Sequence, residues 1–122
     1  MRNINFSQAI GLMLIAIWSS VAYANDDMTK IAPNNVKVLF ENDRVRVLET
    51  PSKPGETIPM HTHSRPRVVY FMNPVSEKIT QPGKEAQVYN RQSGEVAFHE
   101  AESLTVENVG STEGRNIVVE LK

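Results

Sequence analysis

Cysteine is absent from all 122 residues. That excludes disulfides, thiolate metal centres, a cysteine nucleophile and lipid attachment through an N-terminal cysteine, so packing and sheet closure must hold the chain together. Tryptophan is almost missing, and its single copy, Trp18, lies in an N-terminal apolar run. No charge sign dominates: 13 Lys plus Arg face 14 Asp plus Glu, for a formal net charge of −1. Without long basic runs there is no electrostatic footprint for nucleic acid. After the N-terminal run, no apolar stretch approaches the roughly 20 residues of a membrane-spanning helix. Also lacking are a Gly-x-Ser-x-Gly elbow, a phosphate-cradling Gly-rich loop and a carboxylate pair whose spacing suggests acid and base roles. Ser64 and Ser103 have nothing in the sequence to activate them as nucleophiles.

What is present begins with the grammar of a secretory signal. Arg2, with no acid near it, precedes the apolar run Ala9–Trp18 and then Ser19-Ser20-Val21-Ala22-Tyr23-Ala24. The run is about half of a spanning length, and small residues at Ala22 and Ala24 suit a signal peptidase, so cleavage is expected after Ala24. That implies a periplasmic or secreted protein with no membrane association once the signal is cleaved. Loss of this segment, whose one charged side chain is Arg2, takes the formal charge to −2. The remainder is one domain's worth of chain.

Residues 25–35, polar and punctuated by Pro33, Asn34 and Asn35, read as a flexible N-terminal segment. From residue 36 a period-two pattern takes over, and 36–122 read as one domain. Val36–Phe40 and Arg44–Glu49 flank the turn formers Glu41-Asn42-Asp43 as an opening hairpin. Pro51-Ser52-Lys53-Pro54-Gly55 then breaks the chain. Further β-like segments follow at 57–63, 67–72, 77–81, 86–90, 95–99, 104–108 and 116–121, separated by Asn73-Pro74, Pro82-Gly83, Ser93-Gly94 and Gly110. No helical periodicity is sustained, so the fold class is all-β, a sandwich or a barrel whose closure removes exposed edges.

The most informative stretch is Gly55-Glu56-Thr57-Ile58-Pro59-Met60-His61-Thr62-His63. Two histidines two apart on a strand share a face, where two imidazoles can serve one divalent metal. The stretch resembles the first cupin motif, with Gly55, His61 and His63 in register. Residues 93–99 and Val106-Glu107-Asn108-Val109-Gly110 resemble the second motif, with Asn108 as its asparagine. The resemblance spans roughly residues 36–122 and implies a cupin-type double-stranded β-barrel, or jelly roll.

Two departures qualify it. Metal-binding cupins carry a glutamate where this chain has Arg67, and a third histidine where it has Leu104, so two of the family's ligands are replaced. A guanidinium about 4 Å from a cation costs on the order of 4 kcal/mol at an effective dielectric near 20. His99 could replace the lost histidine only through a shifted register, and Glu56, Glu100 and Glu102 read as solvated acids. Arg67, with His61, His63 and Arg65 on one face unless Pro66 bends the chain, instead suits an anion. Tyr70, Tyr89, Phe98 and Met72 would complete a barrel mouth.

The leading reading is therefore an exported, non-enzymatic small cupin with a degenerate metal site, either a structural barrel or one binding a small molecule, an anion, through His61, His63, Arg67 and Tyr70, with no cofactor. The alternative is a divergent dioxygenase- or isomerase-like enzyme in which His61 and His63 hold one Fe, Mn, Ni or Zn ion. A homodimer pairing strands such as Val36–Phe40 is the expected partner state.

Overall fold

The computed structural model describes residues 23–122, so the expected signal segment lies outside the described residues except for Tyr23 and Ala24. Nine strands follow one short helix: β1 (Lys37–Glu41), β2 (Val45–Ser52), β3 (Thr57–His63), β4 (Arg67–Phe71), β5 (Val75–Thr80), β6 (Gln87–Arg91), β7 (Val96–His99), β8 (Glu102–Asn108) and β9 (Gly114–Leu121). They form two antiparallel sheets, one ordered β1-β2-β9-β4-β7 and the other β3-β8-β5-β6. Chain neighbours β3 and β4 lie in different sheets, which is the all-β jelly roll expected from the strand spacing.

Alternation along the strands builds the interior. In β2 every second side chain from Arg46 to Ser52 is buried, and in β9 the inward set is Gly114, Asn116, Val118 and Glu120. Leu48, Val69, Phe71, Val75 and Val118 form the main apolar cluster. Each such side chain contributes about 1.5–3 kcal/mol by leaving water. The opening hairpin forms as expected, with Asn42 Oδ1 accepting from the backbone N–H of Arg44 at 2.8 Å and of Val45 at 2.9 Å. The break expected at Pro51 comes two residues later. β2 runs through Pro51, opposite Arg115, and the chain turns at Gly55 with φ at 79°.

Asn108 closes one end. It is 1 % exposed, its Nδ2 donates to the carbonyls of Ser52 at 3.0 Å and Thr112 at 2.9 Å, and its Oδ1 accepts from Gly110 N–H. Its role is to tie β2, β8 and the turn before β9 together.

Residues 25–35 differ from the flexible segment expected. Asp27 caps the helix α1 (Met28–Ile31) and bridges to Thr62 of β3, while Pro33–Asn35 make a 3₁₀ turn. Met28 and Ala32, four apart on one helical face, bury against Ile58. The segment is polar in sequence because its most buried charge, Asp27, finds its counter-ion on β2, far along the chain.

Candidate functional site

A cavity of ≈ 60 Å³ lies between the two sheets. That exceeds the roughly 10–15 Å³ needed to hold a single water, so it has room for a small occupant. His61 and His63 reach it from β3, Arg67 from β4 and His99 from β7. Leu104, Val106, Ile58 and Met28 supply apolar wall.

The histidine pair forms as the spacing predicts. The rings of His61 and His63 lie 5.0 Å apart at 76°, and both residues are almost fully buried. His61 Nδ1 lies 2.7 Å from the Pro59 carbonyl, which only accepts, so Nδ1 carries the proton. His63 Nδ1 donates to Glu120 Oε1 at 2.8 Å. In a neutral His61 ring this leaves Nε2 as a lone-pair acceptor. Burial, with the charges of His63 and Arg67 adding to it, pushes the His61 pKa below its ordinary 6.5 despite the Pro59 hydrogen bond, so the ring is neutral near pH 7.

Behind His63 stands a buried charge relay that sequence reading missed. Arg46 Nε donates to Glu120 Oε2 at 2.5 Å, and Arg46 NH2 donates to Asp27 Oδ1 at 2.7 Å, all three side chains being almost fully buried. Burial alone would raise the Glu120 carboxyl, but hydrogen bonds from His63 and Arg46 outweigh it and hold it below 4.5. The N-terminal segment is thus connected to the site through Arg46 and Glu120.

Arg67 is 4 % exposed. Its NH2 donates to Glu102 Oε1 at 2.6 Å and its NH1 to the Glu100 carbonyl at 3.2 Å, which leaves other N–H groups of the fork unspent. Burial lowers its pKa somewhat, against the pull of Glu102, but a guanidinium stays charged. Glu102, expected as a solvated acid, sits on β8 and also lies 3.3 Å from His99 Nδ1. His99 reaches the wall without a register shift, because it pairs directly with Arg67 across β4 and β7.

Other expected site residues lie elsewhere. Tyr70 alternates with the inward Val69 and Phe71, so it points out and is 45 % exposed. Phe98, Tyr89 and Met72 are exposed as well. Arg65 lies in the turn between β3 and β4, where Pro66 bends the chain out of strand geometry and offers its carbonyl to Leu121 N–H. In place of these aromatics the cavity has Glu77 of β5 and Asn116 of β9, both buried, with Asn116 Nδ2 donating to Glu77 Oε1 at 3.0 Å across the two sheets. Burial raises the Glu77 pKa above 4.5, only partly offset by Asn116 and Arg91. The parity of Asn116 with Val118 was the available signal. It was ambiguous because Ile117 and Val119 are equally apolar.

The donor set does not fit the divalent ion that metal-binding cupins hold. Among the described residues, no group of three or more His, Asp or Glu side chains converges on one point. Leu104 stands directly opposite His61 in the β3–β8 ladder, and the Arg67 guanidinium acts on both His61 and His99.

The fold is shared with known proteins. A cupin-domain protein from Bordetella pertussis is 26 % identical, with a TM-score of 0.67 over 71 % of this chain and 91 % of its own. An RmlC-like cupin with a double-stranded β-helix fold from Methanocaldococcus jannaschii is 17 % identical, with a TM-score of 0.59 over 70 % and 77 %. This chain is a small cupin in fold. No family model matches the cupin's sequence, and no curated protein does. A polyketide cyclase from Streptomyces resistomycificus also shares the fold, at 20 % identity and TM-score 0.56 over 70 % of this cupin and 65 % of its own chain. The fold therefore does not select a reaction.

Proposed function

We propose that this cupin is an exported, non-enzymatic barrel that binds a small carboxylate-bearing molecule through Arg67, without a metal. The observation that carries the reading is a guanidinium 4 % exposed in the wall of a ≈ 60 Å³ cavity, with part of its donor fork unspent. A planar fork matches a carboxylate in two hydrogen bonds, and low local dielectric strengthens them. His61 and His63 then act as walls whose orientation the Pro59 carbonyl and Glu120 fix. Export rests on the three-part N-terminal pattern.

The alternative, a metal-dependent enzyme, draws on the two bare Nε2 atoms and on His99 at the same wall. One experiment separates the two. Purified protein is assayed for metal before and after incubation with iron, manganese, nickel and zinc, then titrated with acetate by calorimetry. The expected result is no stoichiometric metal under any loading and acetate binding weakened at least about tenfold by Arg67→Gln. One bound metal per chain that disappears in His61→Ala would overturn the reading.

The partner we propose is a second copy of the chain. One row of paired residues, Phe40, Val47, Val119, Val68 and Phe98, crosses all five strands of the larger sheet on the face away from the cavity. Its ends, Phe40 and Phe98, are 54 % and 57 % exposed.

A further inference from the structure

The cavity's acceptors are not accounted for by a carboxylate. Asn116 spends its Nδ2 on Glu77 Oε1, and its Oδ1, buried on the cavity wall, has no hydrogen-bond partner among the described residues. A carboxylate can only accept, so donation to an ionised Glu77 fixes the amide's orientation and leaves the oxygen over. A buried acceptor without a partner is costly, which marks it as a place for a ligand group. The Nε2 atom of the neutral His61 ring is an acceptor too. Arg67, on the same cavity, offers only donors. Arg67 and Glu77 both line this cavity.

A bare carboxylate would satisfy Arg67 and leave Asn116 Oδ1 unmet. We infer that the natural ligand is a short carboxylate bearing a hydroxyl or ammonium group, with the carboxylate on Arg67 and the N–H or O–H donor received by Asn116 and Glu77. The inference rests on the anion reading above and adds the opposite end of the ligand. The small cavity, ≈ 60 Å³, favours a short molecule carrying both groups. A carboxylate with a methyl group in place of the donor fits the same space but strands the amide oxygen.

The test is a calorimetric comparison of three probes on the whole protein: glycolate, glycine and propionate, the last being glycolate with its hydroxyl replaced by methyl. Glycolate or glycine should bind about tenfold more tightly than propionate, and Asn116→Leu should abolish that preference. Which of the two wins distinguishes a hydroxyl from an ammonium donor. If the three bind equally while Arg67→Gln abolishes binding, the carboxylate reading stands and this inference falls. If none binds, the carboxylate reading fails and takes the inference with it. Should Asn116→Leu not fold, the wild-type comparison still decides, and Glu77→Gln, which keeps the shape, reads the receiving end. A preference unaltered in every folded variant overturns the assignment to Asn116 and Glu77.

Discussion

Asp27 and Arg46 illustrate how much one residue pair carries in this fold. Both side chains are 3 % exposed and lie 2.7 Å apart. Deleting one partner leaves the other charged and buried, which costs about 3–5 kcal/mol. Asp27→Ala is therefore expected to lower the unfolding free energy measured in urea by that amount, moving the midpoint down, and to loosen His63, whose support runs through Arg46 and Glu120. An unchanged midpoint would show that the N-terminal segment does not dock. The pH dependence follows from the same groups. His61 and His99 are depressed below 6.5, mainly by burial, so they contribute stability above that value and lose it as pH falls. Asp27 and Glu120, lowered from 3.8 and 4.5 by hydrogen bonds that outweigh burial, add a second loss in more acidic solution. Glu77 works the other way: its stability is full below 4.5 and is lost as pH rises through its raised value. Thermal scans should show Tm falling from about pH 6.5 to about pH 3, and Glu77→Gln should raise Tm at about pH 8 but not at about pH 4. A flat Tm across that acid range would contradict the buried network.

Among the elements, the strands were the most legible. The expected segments at 57–63 and 67–72 match β3 and β4 to within a residue, because turn formers bound them and their apolar residues alternate. Several ends were less legible. Glu102 and Ser103 belong to β8, although acids and serine read as turn, because the ladder to His63 and Thr62 supplies the pairing that propensity does not. β9 starts at Gly114 rather than Asn116. Gly114 is needed for space: a Cβ there would stand 2.8 Å from both Ser52 Oγ and Val75 Cγ2. Overpacking of this kind costs about 1–3 kcal/mol, so Gly114→Ala should lower Tm measurably in circular dichroism scans. The same substitution on an open strand would be nearly neutral, and a neutral result would place β2 and β5 farther apart than described.

At the scale of the whole molecule, the outer face of the larger sheet carries the proposed self-association. An apolar row that crosses five strands is larger than scattered exposed side chains explain. Light scattering should give a mass twice that of one chain, with Phe98→Glu shifting it to a single chain without lowering Tm by more than about 1 kcal/mol equivalent. A single-chain mass for the wild type at all concentrations would remove the proposed partner. The sequence by itself determined the all-β class, the strand positions and the cupin resemblance, because period-two alternation and turn residues are local signals. It also determined that His61 and His63 share a face and that Arg67 and Leu104 stand where ligands are expected, since these follow from spacing alone. Only the tertiary structure decided that Tyr70 points away, that His99, Glu77 and Asn116 enter the cavity, and that Asp27 reaches Arg46. Those facts depend on which strands become neighbours across two sheets, and on charges paired over long separations, which no local pattern encodes.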